Sequence, residues 1–348
     1  MKKLFILSLM ALSSAHAHSH HDHPNQSGIP DAELAKFEDK DFLTGQGEFT
    51  YKVDLQWGDK PKGSKFIGHT HGGIAVDQKG HIYVGTAAHN GIIKYDPQGK
   101  VVKIFGPQTK GTHSMVLRKE KDGKEFLYVA YDYGKKVEKL DTEGKVIWTI
   151  AGAPPHPAYK QNKGNYRPTA VDVGPDGTVY ICDGYATHLT HVYGPDHKYI
   201  KSFGGPGRNE GQFLTNHGLV VDSRGENPVL LIVDRENRRL QRFTLDGKFI
   251  DAPVNNLRRP CAVAFHGEYT AVAELSGRCV ILDKDFKIVS ILGDNPDVKE
   301  HHNFGVQPKD WKPTYFTAAH GIAFDAKGNL FVQDWNGSGR LRKFNLQK

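Results

Sequence analysis

The chain has little cysteine, little unbroken apolar sequence and no long helical period, and each shortage excludes something. Three cysteines in 348 residues, Cys182, Cys261 and Cys279, are too few for a disulfide-stapled scaffold. Cys261 and Cys279 fall in one repeat and could pair in an oxidising compartment, provided their strands lie close enough. The apolar run at 4–12 is too short for a bilayer span, and no other segment is apolar enough, so no membrane span is expected. No cysteine follows that run to carry a lipid. Lys and Arg outnumber Asp and Glu by 46 to 39, but they are dispersed, and no nucleic-acid motif occurs. A mildly cationic, solvated surface is the reading.

The amino terminus reads as an export signal. Lys2 and Lys3, the apolar run and the small-residue end Ala15-His16-Ala17 mark 1–17 as a secretory signal peptide, placing the mature protein in a periplasm or outside the cell. Cleavage after Ala17 leaves a terminus beginning His18-Ser19-His20-His21-Asp22-His23. A free amine with His in third place chelates Cu²⁺ or Ni²⁺; the alternative is a polar leader that binds metal opportunistically. With Pro24 and Pro30, the stretch 18–47 reads as a flexible tail.

What remains, 48–348, is rich in Gly and built from an internal repeat. A small apolar run opens each unit, as in GIAVD (73–77), AVDV (170–173), GLVVD (218–222) and GIAFD (321–325). After a turn ending in Gly comes an alternating strand that usually ends in Asp, as in YVAYD (128–132), VYICD (179–183), LIVD (231–234) and LFVQD (330–334). A third strand (IIKY, 92–95; LQRF, 240–243) and a fourth (VVKIFG, 101–106) complete the unit. Four short strands at a period of roughly 40–60 residues predict a β-propeller. First lines near Gly72, His113, Thr169, His217, Cys261 and His320 predict six blades. The last unit ends after its third strand at Lys348, while FTYKVDLQWG (49–58) reads as a fourth strand. The N-terminal strand is therefore expected to complete the last blade and close the ring.

Three lines of the repeat carry histidine at one phase: THSMVL (112–117), NHGLVV (216–221) and AHGIAF (319–324). First strands are innermost, so His113, His217 and His320, on blades two, four and six, converge on the axis. Gly72, Thr169 and Cys261 take that place on the other blades. Three imidazoles with a vacant fourth position describe a catalytic Zn²⁺ site, with Fe, Cu and Co as alternatives. The competing reading is that these histidines cap the inner strands and bond to neighbouring backbone.

Second strands return to the same face. There stand Asp183-Gly184-Tyr185 and Asp234-Arg235-Glu236-Asn237-Arg238. Tyr185 is a candidate base, since a cation beside a phenol lowers its pKa, and Arg235 a candidate carboxylate holder. The alternatives are a rim aromatic and a structural ion pair. Asp183, Asp234 and Asp334 recur so regularly that they read mainly as turn-forming residues.

The pattern resembles NHL repeats, and three stretches are similar to peptidyl-α-hydroxyglycine α-amidating lyase: RPTAVDV (167–173) running to Asp183-Gly184-Tyr185, GQFLTNH (211–217) and VDRENRRLQRF (233–243). The resemblance implies a six-bladed propeller, zinc on His113, His217 and His320, Tyr185 as base and Arg235 on the substrate side. It implies cleavage of a carbinolamide C–N bond in a peptide or other small molecule, giving an amide and glyoxylate. Two places differ. VGTAAHN (84–90) lacks the family's blade-one arginine, and Gly321 stands where the family has an Asp that helps bind Ca²⁺. Two other readings are a non-catalytic propeller binding a protein, peptide or glycan, and a calcium-dependent lactonase. Imidazoles at the axis argue against the second, because calcium takes oxygen ligands.

Overall fold

A computed structural model describes residues 25–87, 91–106, 111–161 and 163–348. The signal-peptide stretch 1–17, the histidine tract 18–23 and part of the 84–90 line lie outside the described residues.

Six antiparallel sheets, joined in chain order, form a six-bladed β-propeller. Blade 1 is Thr70–Val76, Ile82–Thr86, Ile92–Tyr95 and Val101–Phe105. Blade 2 is Thr112–Lys119, Glu125–Tyr131, Lys136–Asp141 and Val146–Ala151; blade 3 is Ala170–Val173, Val179–Cys182, Leu189–Tyr193 and Tyr199–Gly204. Blade 4 is Asn216–Asp222, Val229–Asp234, Arg239–Thr244 and Phe249–Val254; blade 5 is Pro260–His266, Tyr269–Glu274, Arg278–Leu282 and Ile288–Leu292. Blade 6 takes Ala319–Phe324, Leu330–Asp334 and Arg340–Leu346 from the C-terminal part, and Phe49–Asp54 pairs antiparallel with its third strand. The ring thus closes as the repeat predicts, leaving no open edge between the two ends of the circuit.

Burial follows strand rank. Inner and middle strands are mostly buried because they face two neighbouring blades, whereas fourth strands such as Val101–Phe105 and Tyr199–Gly204 are largely exposed. The core is a ring of apolar clusters at the blade boundaries. One joins blades 5 and 6 to the closing strand through Ala271, Ile281, Phe316, Phe344, Phe49 and Tyr51. Another joins blades 6 and 1 through Phe331, Trp57, Ile74 and Tyr95.

One expectation is corrected and one open alternative is resolved. The stretch 18–47 is not a tail throughout: Leu43–Gln46 adds a fifth strand outside Phe49–Asp54, and Ile29 is buried with Val306 and Trp311. Ser290 on blade 5 ties this strand down, accepting from Gln46 N at 2.9 Å and donating to Phe49 O at 3.1 Å. Nor do Cys261 and Cys279 pair; all three thiols are free and buried. Cys261 lies on the first strand of blade 5 and Cys279 on the third, with Tyr269–Glu274 between them. Two strand spacings of about 4.8 Å exceed the ~7 Å over which a disulfide can reach. Burial pushes the Cys261 thiol up to about 11 and the Cys182 thiol up to about 12. Thiol titration of the native protein should therefore find no reactive cysteine and detect all three only after unfolding; rapid reaction in the native state would contradict this packing.

Candidate functional site

The first strands line the axis, and five of the six carry a shift of pairing at their start. Thr112 pairs Tyr131 but Ser114 pairs Ala130, so His113 has no partner across the ladder. His217, Cys261 and His320 are skipped in the same way. Such a bulge takes one residue out of alternation and re-aims its side chain, here inward. In blade 3 the ladder starts at Ala170 with no shift of pairing, and Thr169 N bonds Cys182 O at 2.8 Å.

Carboxylates at the ends of second strands hold the chain that enters these bulges. Asp183 accepts from Arg167 N at 2.8 Å, Asp234 from Leu214 N at 2.9 Å and Asp334 from Thr317 N at 3.2 Å. Glu274 accepts from Arg258 N. Each bonded amide precedes an axial residue, Thr169, His217, His320 or Cys261, by two or three positions. The turn-forming reading of Asp183, Asp234 and Asp334 stands, with a further consequence: they set where the axial side chains begin.

The structure brings His113, His217 and His320 together, with ring centroids 4.6–5.2 Å apart. It adds a fourth imidazole. His71 lies 4.6 Å from His113 and 4.9 Å from His320 by ring centroid, and Gly72 is not the axial residue of blade 1. Counted from the strand's first residue, THGG (70–73) matches NHGL and AHGI with one extra glycine. The apolar run alone hides this, whereas the pair His-Gly after a capping residue would have found it. One potential ligand atom each from His71, His113 and His320 lie within 4.8 Å of one another, and so do those of His217, Cys261 and His320.

Hydrogen bonds fix two of the tautomers. His113 Nδ1 lies 2.7 Å from Thr169 O, and His217 Nδ1 lies 2.8 Å from Cys261 O. A carbonyl only accepts, so both Nδ1 atoms carry the proton and both Nε2 atoms are lone pairs. The backbone-bonded reading of these histidines is thus correct for one nitrogen of two rings, and it leaves the other nitrogen basic, as outer partners of metal-binding imidazoles do.

Those lone pairs meet at Tyr185. Its Oη is 3.1 Å from His113 Nε2, 3.0 Å from His217 Nε2 and 3.2 Å from Arg235 Nη1. A phenol has one proton and Arg235 donates to its oxygen, so Tyr185 satisfies one imidazole lone pair at a time. His320 Nδ1, His320 Nε2 and His71 Nδ1 are buried without any partner. This concentration of uncompensated buried lone pairs fits a cation. Imidazole donors suit Zn²⁺ and its borderline neighbours rather than Ca²⁺.

Burial sets the charge state. It pushes His113 down to about 4 against the opposing Asp132 and Thr169 carbonyl, and His71, His217 and His320 well below the ordinary value of 6.5, where Arg235 and the neighbouring imidazoles add to the effect. All four are neutral at pH 7, the state that binds metal. Burial pushes the Tyr185 phenol up to about 12, and Arg235 acts against it. Arg235 alone therefore does not lower Tyr185; the expected lowering is one that a metal ion beside the phenol would supply.

A second arginine flanks the phenol. Arg167 lies 5.1 Å over the Tyr185 ring, Arg235 5.4 Å, and Arg167 also pairs with Asp132. Although Arg167 opens a motif legible in the sequence, nothing there shows that it stands beside Tyr185. On the other side of the imidazoles a channel cavity of about 240 Å³ runs along the inner strands to Arg118, Phe265 and Phe324.

No known family profile matches the chain. Its fold is similar to that of a streptogramin B lyase, at 14% identity over 80% of this chain and 94% of that one, with a TM-score of 0.54. It is also similar to a virginiamycin B lyase from Staphylococcus aureus (16% identity, 85% and 100% covered, TM-score 0.52). A gluconolactonase from Xanthomonas campestris compares alike (14% identity, 81% and 88% covered, TM-score 0.55). At these identities the likeness is one of fold.

Between the ordinary imidazole value of 6.5 and the value near 4 of His113, the unfolded chain binds protons that the folded one refuses. Stability of the metal-free protein should therefore fall as pH drops through that window, by up to about 1.4 kcal/mol per pH unit for each buried histidine, and these residues contribute no slope above it. Denaturant midpoints at about pH 7.5 and about pH 5.5 measure this; equal midpoints would contradict neutral buried imidazoles.

Proposed function

We propose that the chain is an exported, metal-dependent lyase that cleaves a carbinolamide-type C–N bond, or acts on a related small hydroxylated acid, with Zn²⁺ on His113, His217 and His320. The observation that carries this reading is the convergence on one oxygen: Tyr185 Oη stands about 3 Å from two imidazole lone pairs and from Arg235. A candidate base, a cationic substrate holder and a metal seat thus share one place.

Zinc bound there supplies Lewis acidity toward a substrate hydroxyl. The residues supply the rest. Arg235 and Arg167 flank Tyr185 and offer two guanidinium groups to a substrate carboxylate, Arg167 in place of the arginine that the 84–90 line lacks. Tyr185, as phenolate, takes the hydroxyl proton; the C–O bond becomes a carbonyl while the C–N bond breaks. The leaving amide nitrogen needs one proton, and Tyr185 holds one. Products are a primary amide and glyoxylate, and no oxidant or reductant is required. Glu236 pairs with both Arg235 and Arg259, which fixes the Arg235 guanidinium over the phenol.

Support for the export reading comes from the sequence at 1–17. A similar fold serves proteins named as lyases and as a gluconolactonase, so the scaffold is compatible with lyase chemistry. Among the described residues the groups at the axis are imidazoles, a thiol, a phenol and the Thr169 hydroxyl, a set that suits Zn²⁺ better than Ca²⁺.

The test is glyoxylate release from α-hydroxyglycine peptides by zinc-loaded protein. Tyr185→Phe should lower kcat by about 10²–10⁴-fold, the range for loss of a general base. Arg235→Ala should raise KM for carboxylate-bearing substrates more than for their amides. Failure to release glyoxylate, with zinc bound, would remove the amidating reaction; absence of metal would leave a binding propeller.

A further inference from the structure

We propose that His71 is a fourth imidazole ligand of the axial metal, giving a centre of four neutral ring nitrogens with a further position beside Tyr185 and Arg235. This rests on the metal reading above and goes beyond the three-histidine set expected from the repeat.

Blade 1 is built to deliver this ring. In the other bulged blades a single residue is skipped, but here Thr70 pairs Thr86 and the next pair is Ile74 with Val84, so His71, Gly72 and Gly73 stand against Gly85 alone. Gly72 makes the insertion possible. Its φ of 103° is a left-handed conformation, and a Cβ there would lie 2.6 Å from His113 O and 2.7 Å from His320 Nδ1. Only a bare backbone passes between two axial imidazole strands at that distance. Gln333 of blade 6, fully buried, pins the bulge by accepting from Gly72 N at 2.8 Å and donating to Gly85 O at 2.9 Å.

The ring so delivered has no other work for its nitrogen. His71 is 7% exposed, and its Nδ1 is buried without a partner. Its neighbours are His113 and His320, with which it shares a 4.8 Å ligand group, and the rings of His69, Trp335 and Tyr185 at 5.8, 6.0 and 6.2 Å, none of which bonds its Nδ1. An imidazole nitrogen held there unbonded is costly to bury unless something accepts its lone pair or proton.

Two consequences follow. Four neutral ligands leave the whole charge of a divalent ion on the centre, which with Arg235 and Arg167 selects for an anionic substrate. A fourth imidazole would also set this centre apart from a three-histidine one, with the side toward Tyr185 and Arg235 left for substrate.

The experiment uses the full chain with His18, His20, His21 and His23 changed to Gln, so that the terminal tract does not compete for metal. Zinc alone is bound, its affinity measured against a chelator and its imidazole number read from X-ray absorption at the zinc edge. The parent should show four imidazoles and His71→Gln three. The dissociation constant should rise at least about tenfold, because even groups standing behind a ligand are worth about 10–100-fold. If His71→Gln fails to fold, the parent spectrum decides alone. Three imidazoles in the parent, with unchanged affinity in His71→Gln and loss of zinc in His217→Gln, would overturn the role of His71 and leave the metal reading standing. No zinc in the parent would overturn both.

Discussion

The structure depends on a clamp repeated around the ring: a carboxylate at the end of a second strand holds the backbone amides that lead into the first strand of its blade. Asp183, Asp234, Asp334 and Glu274 do this at 0–1% exposure. Buried amides need such partners. In blades 4, 5 and 6 the residue that follows this loop leaves the ladder as a bulge and its side chain turns to the axis, whereas in blade 3 Thr169 comes before the strand without a shift of pairing. Thr169, His217, Cys261 and His320 occupy that place, and His113 and His71 reach it through the bulges of blades 2 and 1. Scaffold and site are thus one arrangement. The interactions that keep the inner strands in register also determine which six side chains meet.

What meets there is unusual for a protein interior. Four imidazoles pack ring against ring, neutral because burial and mutual repulsion disfavour protonation. Two are oriented by backbone carbonyls of the next blade, Thr169 O and Cys261 O, so blades 3 and 5 set the tautomers of His113 and His217. Tyr185 and Arg235 lie on one side of this plug and the channel cavity on the other. Two guanidinium groups, Arg235 and Arg167, thus flank Tyr185 on the side away from that cavity.

Much of this was legible in the residues. The four-strand period, the Asp that ends each second strand and the orphan strand at 49–58 lead to the six blades and their closure. His113, His217 and His320 were visible because each follows a capping residue and precedes an unbroken apolar run. His71 was hidden by one glycine: the insertion shifts the apolar run by a residue, and alignment on that run places Gly72 at the axis. The position of Arg167 beside Tyr185 depends on packing between blades 2 and 3, which no local pattern encodes. The strand Leu43–Gln46 was missed for a different reason. Its residues are polar or half-exposed, and it exists because Ser290 and its neighbour strand supply hydrogen bonds that a sequence pattern does not announce. Whether Cys261 and Cys279 pair depends on strand separation, which the repeat does not give; an intervening strand keeps them apart.

The central claim is that the propeller axis is a metal centre made by histidines from four blades. Anomalous diffraction at the zinc edge, from crystals of the full chain grown with zinc, addresses it most directly. The account predicts one strong peak on the axis, in contact with His71, His113, His217 and His320 and beside Tyr185. Density for zinc elsewhere, with the four imidazoles packed on one another as neutral rings and no peak among them, would contradict it.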